Sequence, residues 1–303
     1  MSRLDKIKRQ ILDLKKERRA LLLVHNYQRP EIQDLADHLG DSLDLSRRAA
    51  QADEPVIVFC GVKFMAETAK ILSPGKTVLL PRMNAGCPMA EMMDVESLLS
   101  LKRQHPEAVV VTYVNSTAAV KAVTDVCCTS ANAVKVVQGV ESDTVIFAPD
   151  RHLASWVQRF TGKRIIPWDG YCYVHNRFTP EEVHEARRAH PDAVVVVHPE
   201  CPAEVVDLAD EVLSTSGMVR FAAETAKKTI VLGTEEGILH RLKKENPDKQ
   251  FFTLGPAKMC RGMKTTRIED LHAALALMQH EILLPDEIIR KAGTALERML
   301  RYV

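Results

Sequence analysis

The sequence has little glycine or proline for its length: 13 and 15, respectively, among 303 residues. This scarcity excludes a collagen-like or low-complexity chain, and 46% hydrophobic with 27% charged residues indicates a packed globular protein. A large excess of one charge is missing as well, because 41 Lys plus Arg oppose 40 Asp plus Glu. The resulting net charge of +1 gives no electrostatic case for nucleic acid as a main partner.

Long apolar runs are also absent from the sequence. No run reaches the roughly 18 to 20 residues needed to span a bilayer, so we expect no membrane partner. The opening stretch, MSRLDKIKRQILDLKKERRA, has the pattern of a charged amphipathic helix and lacks the apolar core of a signal peptide. We therefore expect a cytoplasmic protein, and in that compartment the seven cysteines are not expected to form stable disulfides.

The chain contains three copies of one pattern, each about 87 residues long. Every copy opens with an apolar run that ends in an imidazole or aromatic residue. These residues, His25, Tyr113 and His198, lie 88 and 85 residues apart. A small hydroxyl side chain follows each of them after 17 residues. The three hydroxyl residues are Ser42, Ser130 and Thr215.

One cysteine recurs at the same place in all three copies. Cys87, Cys172 and Cys260 each follow the last apolar run of their copy and lie 85 and 88 residues apart. Such recurrence indicates a shared three-fold site. The remaining cysteines show no recurrence, and we expect them to be small buried hydrophobic residues. They are Cys60, Cys127, Cys128 and Cys201.

Each copy reads as strand, helix, short strand, helix, strand, helix and strand. The strands are short and continuously apolar, which indicates that both faces of each sheet are covered, and the alternation predicts parallel βαβ units. The predicted fold class is α/β: three pseudo-threefold-related α/β/α sandwiches with short parallel sheets around a central active site. We place the domains at residues 1–88, 89–174 and 175–262, with C-terminal helices at 263–303 that close on the first repeat.

Polar side chains follow the first strand of each copy, where ligands bind beyond the carboxyl ends of parallel strands. Three such ends converging on one axis would form a single central pocket. The imidazole, phenol and carboxylate groups suit acid–base chemistry, although the alternative is simple hydrogen bonding to the backbone at the strand ends. These side chains belong to His25, Tyr27, Tyr113, Asn115, His198 and Glu200.

The hydroxyls of Ser42, Ser130 and Thr215 each precede a helix pattern, which allows two interpretations. They could be N-caps, which need no ligand. They could also bind a carboxylate or phosphate together with the helix N-terminus. We favour anion binding because the three recur at one site, and this arrangement predicts a substrate with several negative charges.

Three cysteines on one axis suit either of two metal groups. Zinc normally takes a fourth protein ligand, and spacings near 85 residues match no short zinc motif. An iron–sulfur cluster held by three thiolates keeps one iron open, and that iron can act as a Lewis acid on a hydroxyl or carbonyl. The residues favour the cluster, while a zinc-stabilised binding module and a plain hydrophobic contact stay open as alternatives.

Two further segments lie beside these cysteines. His175 follows Cys172 by three residues in GYCYVH, so it is a candidate site residue, with an ordinary polar contact as the alternative. Lys258, Arg261 and Lys264 lie in GPAKMCRGMKTT. We expect that segment to be a solvated loop.

Six separated motifs resemble those of quinolinate synthase, the A protein family of de novo NAD synthesis in bacteria and archaea. The motifs are VHNYQRPEIQDLADHLGDSLDLS, AGCPMA, VTYVNSTAAVKA, GYCYVH, VHPECP and GPAKMCRGM. They agree with the family in order and spacing over essentially the whole chain. The resemblance implies a triangular assembly of three α/β/α sandwiches. It also implies a transferase that condenses iminoaspartate (iminosuccinate) with dihydroxyacetone phosphate, releasing phosphate and two waters to form quinolinate.

The resemblance further implies a [4Fe-4S] cluster with three cysteine ligands, Cys87, Cys172 and Cys260, and one open iron that contacts substrate or product. The residues that match the family's iminoaspartate-binding segments are His25, Ser42, Tyr113, Val114, Asn115, Ser130, His198, Pro199, Glu200 and Thr215. The catalytic candidates are Tyr27, Tyr113, His175 and Glu200. Some relatives place the third cysteine within CxxCxxC. Here Ala257 and Met263 occupy the flanking positions, so no redox disulfide is expected there.

Two other functions stay open at this point. One is another iron–sulfur hydro-lyase on the same scaffold, and the other is a non-enzymatic cluster carrier or redox sensor. A carrier needs exposed ligation, and the strand-end Tyr, His, Asn and Glu side chains would have no role in it. For the synthase, an aspartate-oxidising enzyme or an aspartate dehydrogenase should supply the unstable imine.

Overall fold

A computed structural model of the protein describes residues 2–302. These residues form three four-stranded parallel sheets flanked by helices, which confirms the predicted α/β class with three α/β/α units. The first repeat consists of α1 (Arg3–Arg18), β1 (Ala20–His25), α2 (Pro30–Gln33), β2 (His38–Gly40), α3 (Ser42–Gln51), β3 (Val56–Cys60), α4 (Lys63–Leu72), β4 (Thr77–Leu79) and α5 (Pro88–Glu91).

The second and third repeats follow the same order of elements. The second consists of α6 (Val95–Gln104), β5 (Val109–Tyr113), α7 (Ala118–Lys121), β6 (Val126–Cys128), α8 (Ala133–Gly139), β7 (Thr144–Ala148), α9 (Arg151–Gln158), β8 (Arg164–Pro167) and a 3-10 turn (His175–Arg177). The third consists of α10 (Pro180–Ala189), β9 (Val194–Val197), α11 (Ala203–Val206), β10 (Glu211–Val212), α12 (Thr215–Glu224), β11 (Thr229–Gly233), α13 (Ile238–Glu245), β12 (Gln250–Thr253) and α14 (Arg261–Thr265).

All three sheets have the same topology. Their strand orders are β2-β1-β3-β4, β6-β5-β7-β8 and β10-β9-β11-β12, so the first strand of each repeat lies inside its sheet. From the first strand the chain goes to the second strand, at the edge of the sheet. It then crosses back to form the third strand on the opposite side of the first. That reversal creates a switch point between the first and third strands, where ligands bind in open parallel sheets. The three candidate sites therefore lie at equivalent places in the three repeats.

One buried-strand contact shows the repeat at atomic detail. The Asp37 carboxylate accepts a hydrogen bond from the backbone N–H of Leu22, with a distance of 2.8 Å between nitrogen and oxygen, and it also pairs with Lys15 at 2.7 Å. The same two bonds recur in the other repeats. The equivalent groups are Asp125 with Val110 and Lys102, and Asp210 with Val195 and Arg187.

Each sheet has an outer and an inner apolar face, as its continuously apolar strands predict. In β1, Leu22 and Val24 contribute to an outer core that joins the first repeat to C-terminal residues such as Leu271. Leu21 and Leu23 contribute to an inner core that also contains Val111 of the second repeat and, from the third, Val196. One shared inner core thus holds the three sheets together, and the carboxyl ends of their strands meet beside it.

Two helices follow the third repeat, α15 (Ile268–Leu277) and α16 (Asp286–Met299). Helix α15 packs against α1 of the first repeat. Helix α16 packs on α4 of the first repeat and also on α7 and β6 of the second. No helix among residues 2–302 is both long enough and apolar enough to cross a membrane.

Candidate active site

A buried cavity lies where the carboxyl ends of the three sheets meet. It brings together thirteen of the residues singled out from the sequence, with contributions from every repeat. These are His25, Tyr27, Ser42, Cys87, Tyr113, Asn115, Ser130, Cys172, His175, His198, Glu200, Thr215 and Cys260.

Two of the predicted contact residues do not line this cavity. The side chain of Val114 is buried in the shared inner core, and its backbone N–H donates to the oxygen of Cys128. Pro199 is buried between His198 and Glu200. The alternation of side chains along an extended segment explains the placement of Val114, because Tyr113 and Asn115 face the cavity on either side of it. A direct substrate contact by Val114 or Pro199 stays a prediction.

Two imidazoles occupy equivalent positions in the first and third repeats and have the same hydrogen-bonding state. The Nδ1 atom of His25 accepts the N–H of Tyr27 at 3.1 Å, and Nδ1 of His198 accepts the N–H of Glu200 at 3.3 Å. Burial lowers the pKa of each imidazole to about 3, so both rings are neutral near pH 7. The remaining proton is therefore on Nε2, which leaves each ring as a hydrogen-bond donor for a ligand.

Glu200 is the centre of a buried polar network that joins the second and third repeats. Its Oε1 accepts the Tyr113 hydroxyl at 2.6 Å, and its Oε2 lies 2.8 Å from Nδ1 of His175. Burial alone would raise the pKa of this carboxyl. The hydrogen bonds with His175 and Tyr113 act in the opposite direction, and the pKa of Glu200 lies below its usual range. Burial together with the Glu200 charge raises the pKa of Tyr113, which keeps its phenol protonated.

The network continues through a threonine that the sequence reading missed. Nε2 of His175 lies 2.9 Å from the Thr234 hydroxyl, which is itself 2.6 Å from the hydroxyl of Tyr27. The Tyr27 hydroxyl then reaches the hydroxyl of Thr215 at 3.0 Å. A continuous chain of hydrogen-bonded side chains therefore connects Tyr113 with Thr215. It passes through Glu200, His175, Thr234 and Tyr27.

The predicted hydroxyls are not the residues that cap the helices. Asp41 caps α3, accepting the N–H groups of Leu43 and Asp44, and Ser214 caps α12 through the N–H of Gly217. Ser42 and Thr215 are instead the first residues of these helices. The N-cap alternative is therefore wrong for these two residues, and their hydroxyls face the cavity.

Ser130 stands slightly apart from the other two hydroxyl residues. Helix α8 begins at Ala133 with Asn132 as its N-cap residue, so Ser130 lies two residues before the cap. Its hydroxyl lowers the pKa of the Tyr113 phenol and so offsets a part of the rise that burial causes. It lines the cavity together with Ser42 and Thr215, so the three recurrent hydroxyls share one site.

The three recurrent cysteines are free and partly exposed, and each lines the cavity. They lie close enough together for the charge of one thiolate to raise the pKa of another. Burial is the larger cause, and it raises the pKa of Cys87 to about 12. The other four cysteines are at most 1% exposed, as expected for residues with a packing role. Three soft sulfur donors beside a cavity fit an iron–sulfur cluster, whose binding would deprotonate them.

Two buried carboxylates support the cysteine loops, and the sequence reading missed both. Asp150 accepts the N–H of Cys172 at 3.1 Å, and Glu235 accepts the N–H of Cys260 at 3.0 Å. Each lies two residues beyond the third strand of its repeat. The equivalent residue in the first repeat is Val62, so the carboxylate recurs only twice. Counting positions along the repeats could have found this pair.

The segment around Cys260 is anchored, and the expectation of a solvated loop is wrong for two of its cations. Lys258 is 4% exposed and pairs with Glu182 at 2.6 Å. Lys264 pairs with Glu235 at 3.1 Å and donates to the backbone oxygen of Tyr27 at 2.6 Å. The side chain partners lie far away in sequence, which is why the local pattern did not indicate them.

The polar groups of the cavity are neutral donors and acceptors together with three carboxyl groups, those of Asp41, Glu200 and Glu235. The described lining residues include no lysine or arginine. The Oδ1 atom of Asn115 is buried and has no hydrogen-bond partner among the described residues. Since buried polar atoms are normally paired, this oxygen indicates that a ligand completes the site.

Comparisons with known proteins agree with this arrangement. Residues 9–301 match the family described as quinolinate synthetase A protein. A quinolinate synthase of Methanoregula boonei is 53% identical over 294 residues, covering 97% of both chains. Quinolinate synthases of Thermodesulfovibrio yellowstonii and of Geobacter sp. (strain M21) are 52% and 54% identical, covering 97% and 98% of this chain and 97% of each relative. The chain therefore belongs to the quinolinate synthase family, which is a family of enzymes in NAD biosynthesis.

Proposed function

We propose that this member of the quinolinate synthase family condenses iminoaspartate with dihydroxyacetone phosphate in the cavity between its three repeats. The products are quinolinate, phosphate and two waters. One observation carries the proposal: a cysteine from every repeat lines the same cavity as the Tyr113–Glu200–His175 network and the three recurrent hydroxyls. The imine is unstable in water, so we expect an aspartate-oxidising enzyme or an aspartate dehydrogenase to supply it.

Cys87, Cys172 and Cys260 are the residues that would hold the [4Fe-4S] cluster. Their donor set fits, because three thiolates leave one iron of such a cluster without a protein ligand. When bound, that iron supplies Lewis acidity to an oxygen of the substrate. Cys172, His175 and Glu200 have ligand atoms within 4.8 Å of one another, so a cluster held by Cys172 would lie beside the proton-transfer groups.

The carboxylates of the imine are bound by hydroxyls and helix ends. Ser42 and Thr215 begin α3 and α12, where the helix dipole favours an anion, while the N–H groups of Leu43, Asp44 and Gly217 already bond to Asp41 and Ser214. Ser130 and Asn115 add donors from the second repeat. Because no lysine or arginine is among the described lining residues, neutral donors must supply this recognition.

The neutral imidazoles of His25 and His198 approach the same ligand from two repeats. Each carries its proton on Nε2, because its Nδ1 accepts a backbone N–H. They can therefore donate to carboxylate, carbonyl or phosphate oxygens without adding positive charge. In this way they hold dihydroxyacetone phosphate in position for the carbon–carbon bond and for the loss of phosphate.

Proton transfer is assigned to the Glu200 network. Glu200 is ionised and can accept a proton, while Tyr113 remains protonated and can donate one. His175 connects Glu200 with Thr234 and Tyr27 through hydrogen bonds. A proton can therefore move along these groups between Glu200 on one side of the cavity and Tyr27 on the other. The isomerisation and the two dehydrations need such paired donors and acceptors.

The decisive experiment uses protein purified without oxygen, with its cluster reconstituted. Incubation with dihydroxyacetone phosphate and freshly generated iminoaspartate should give quinolinate by mass spectrometry, and iron and sulfide should be measured in the same sample. A full cluster without quinolinate would favour another hydro-lyase or a cluster carrier. Zinc in place of iron would overturn the mechanism and make the three cysteines a structural clasp.

A further inference from the structure

Two buried charged side chains connect the loop of Cys260 with the first repeat. Glu235 follows β11 and its side chain is fully buried, while the side chain of Lys264, on α14, is 10% exposed. Nζ of Lys264 lies 3.1 Å from Oε1 of Glu235 and 3.2 Å from Oε2. Because Glu235 lines the cavity, this ion pair lies directly beside the candidate active site.

The carboxylate of Glu235 holds the cysteine loop. Its Oε1 accepts the backbone N–H of Cys260 over 3.0 Å, and its Oε2 accepts that of Gly237 over 2.7 Å. Cys260 is also the residue before α14, and its backbone oxygen accepts the N–H of Lys264 over 3.0 Å. Cys260 and Lys264 are therefore joined twice, through the first turn of α14 and through the Glu235 carboxylate.

The ammonium of Lys264 also holds the chain just after β1. Nζ donates to the backbone oxygen of Tyr27 over 2.6 Å. The backbone oxygen of Lys264 in turn accepts two N–H groups of the Arg29 guanidinium, over 3.1 and 2.8 Å. Tyr27 is 8% exposed, and its hydroxyl belongs to the hydrogen-bonded network of the cavity. One lysine thus contacts both a catalytic candidate and the partner of a cysteine loop.

Gly237 shows how closely these groups approach one another. A Cβ built at this position would lie 2.6 Å from Nζ of Lys264 and 2.8 Å from Oε2 of Glu235. It would also lie 2.9 Å from the carbonyl carbon of Tyr27. Real Cβ atoms essentially never make contacts this short. The ion pair and the backbone of Tyr27 therefore meet at a point where only glycine fits.

We propose that Lys264 and Glu235 are positioning residues that couple the placement of Tyr27 to the state of the Cys260 loop. Binding of the metal group by Cys260 fixes the loop, and the ion pair then holds the segment that carries Tyr27. The inference rests on the proposed function in assigning Cys260 as a cluster ligand. A contiguous hydrogen-bond and ion-pair network with this geometry can carry such coupling between two sites.

The same loop contains a matched control, Lys258. It forms a buried ion pair over 2.6 Å with Glu182, which lies on α10 of the third repeat. Lys258→Met and Lys264→Met each remove one buried ammonium close to Cys260, but only the second removes a contact with the first repeat. The bonds from Arg29 to the backbone of residue 264 do not depend on the lysine side chain, so they can keep the two repeats joined in Lys264→Met.

The test is hydrogen exchange, followed by mass spectrometry on a peptide that covers residues 24–33 of the full-length protein. The amides of Asn26, Tyr27 and Gln28 are hydrogen-bonded, so their exchange reports local opening of this segment. Each protein is compared before and after anaerobic reconstitution with ferrous iron and sulfide, both of which are then counted. In the wild type and in Lys258→Met, loading should slow this exchange about fivefold or more.

In Lys264→Met, we expect loading to an equal iron content to leave the exchange of the peptide nearly unchanged. Gly237→Ala is a second variant, which keeps both charged side chains. Its methyl group must displace either the ammonium or the backbone of Tyr27, so it should lose the slowing as well. Gly75→Ala, where a Cβ meets nothing within 4 Å, should behave as the wild type.

Two results would overturn the inference. The first is a Lys264→Met protein that keeps the slowing of the wild type, even if its exchange is faster in both states, because a merely structural role predicts that behaviour. The second is an equal loss of the slowing in Lys258→Met, which would indicate general loosening of the Cys260 loop. The measurement does not involve quinolinate. A loaded wild type with slowed exchange and no quinolinate would therefore overturn the proposed reaction and support the coupling.

Discussion

The Tyr113 hydroxyl donates to Oε1 of Glu200 across the junction of the second and third repeats, over 2.6 Å. Tyr113 is 4% exposed and Glu200 is 2% exposed, so water does not compete for this bond. A proton donor and a charged acceptor from different repeats are thus held in contact before any ligand binds. Their acid–base pairing depends on the packing of the two repeats.

Removing the Tyr113 hydroxyl should slow the reaction without unfolding the protein. For Tyr113→Phe we expect kcat to fall by about 10² to 10⁴, the usual contribution of a positioned acid or base. The measurement is the initial rate of quinolinate formation at saturating substrate. Tyr171→Phe is the control, because the Tyr171 ring packs against Arg151 and its hydroxyl has no hydrogen bond among the described residues. A wild-type rate in Tyr113→Phe would remove this residue from the proton pathway.

Loss of a recurrent hydroxyl should weaken substrate binding, whereas loss of a helix cap should lower the stability of the protein. Ser42→Ala removes a donor to a charged ligand group, so we expect KM for the imine to rise by roughly tenfold with little change in unfolding. Ser214→Ala removes the cap of α12, so it should cost about 1 kcal/mol of stability. Steady-state kinetics and urea unfolding on both variants check this. A loss of stability in Ser42→Ala with an unchanged KM would indicate that Ser42 caps the helix.

The buried neutral state of His25 predicts a specific pH dependence of stability. Its pKa is about 3 in the folded protein, against 6.5 for an ordinary histidine, because of burial and the charge of Lys264. Between these pH values the unfolded chain binds more protons, so stability is fully present above pH 6.5 and falls as the pH decreases. One such group contributes up to about 1.4 kcal/mol per pH unit.

The variant His25→Asn should therefore show a shallower loss of stability below pH 6.5 than the wild type. Urea unfolding of the apoprotein at several pH values between 7.5 and 4.5 gives the two slopes. His184 is exposed on α10, so His184→Asn should keep the wild-type slope. Equal slopes for His25→Asn and the wild type would contradict the buried neutral state.

The buried pair of Lys258 and Glu182 should contribute more to stability than an exposed pair. Lys258→Met leaves the Glu182 carboxylate without its partner, and breaking a buried pair costs about 3 to 5 kcal/mol. Lys228→Met breaks an exposed pair with Asp248 and should change the stability little, because water screens such a pair. Chemical denaturation compares the two variants. Similar small losses in both would show that the Cys260 loop is not anchored by Lys258.

A methyl group at Gly262 should force two cysteine loops apart. A Cβ built at this position meets the backbone oxygen of Gly86, which directly precedes Cys87. Gly262→Ala should therefore lower the iron content after reconstitution, because the loops of Cys87 and Cys260 can no longer approach closely. Gly75→Ala is the control, since a Cβ there meets nothing within 4 Å. Full iron loading of Gly262→Ala would contradict the close approach.

The sequence predicted those parts of the fold and site that repeat. The strand of His25, the hydroxyl of Ser42 and the cysteine at 87 recur at fixed spacings, and each recurrence marks a topological position. Glu235 and Asp150 were not predicted, because the equivalent position of the first repeat is Val62 and a carboxylate therefore does not recur in all three repeats. Local charge in the sequence likewise could not show that Lys258 is buried, because its partner Glu182 lies 76 residues away.

The cavity has consequences for the biosynthesis of the protein. His25 belongs to the first repeat and Cys260 to the third, with the acid–base pair between them. A ribosome-bound chain that has completed only two repeats has two of the cysteine sulfurs and neither Glu200 nor Thr215. The proposed cluster could therefore be held by all three sulfurs only after the third repeat has been synthesised, and a fragment released before that point would lack the complete site.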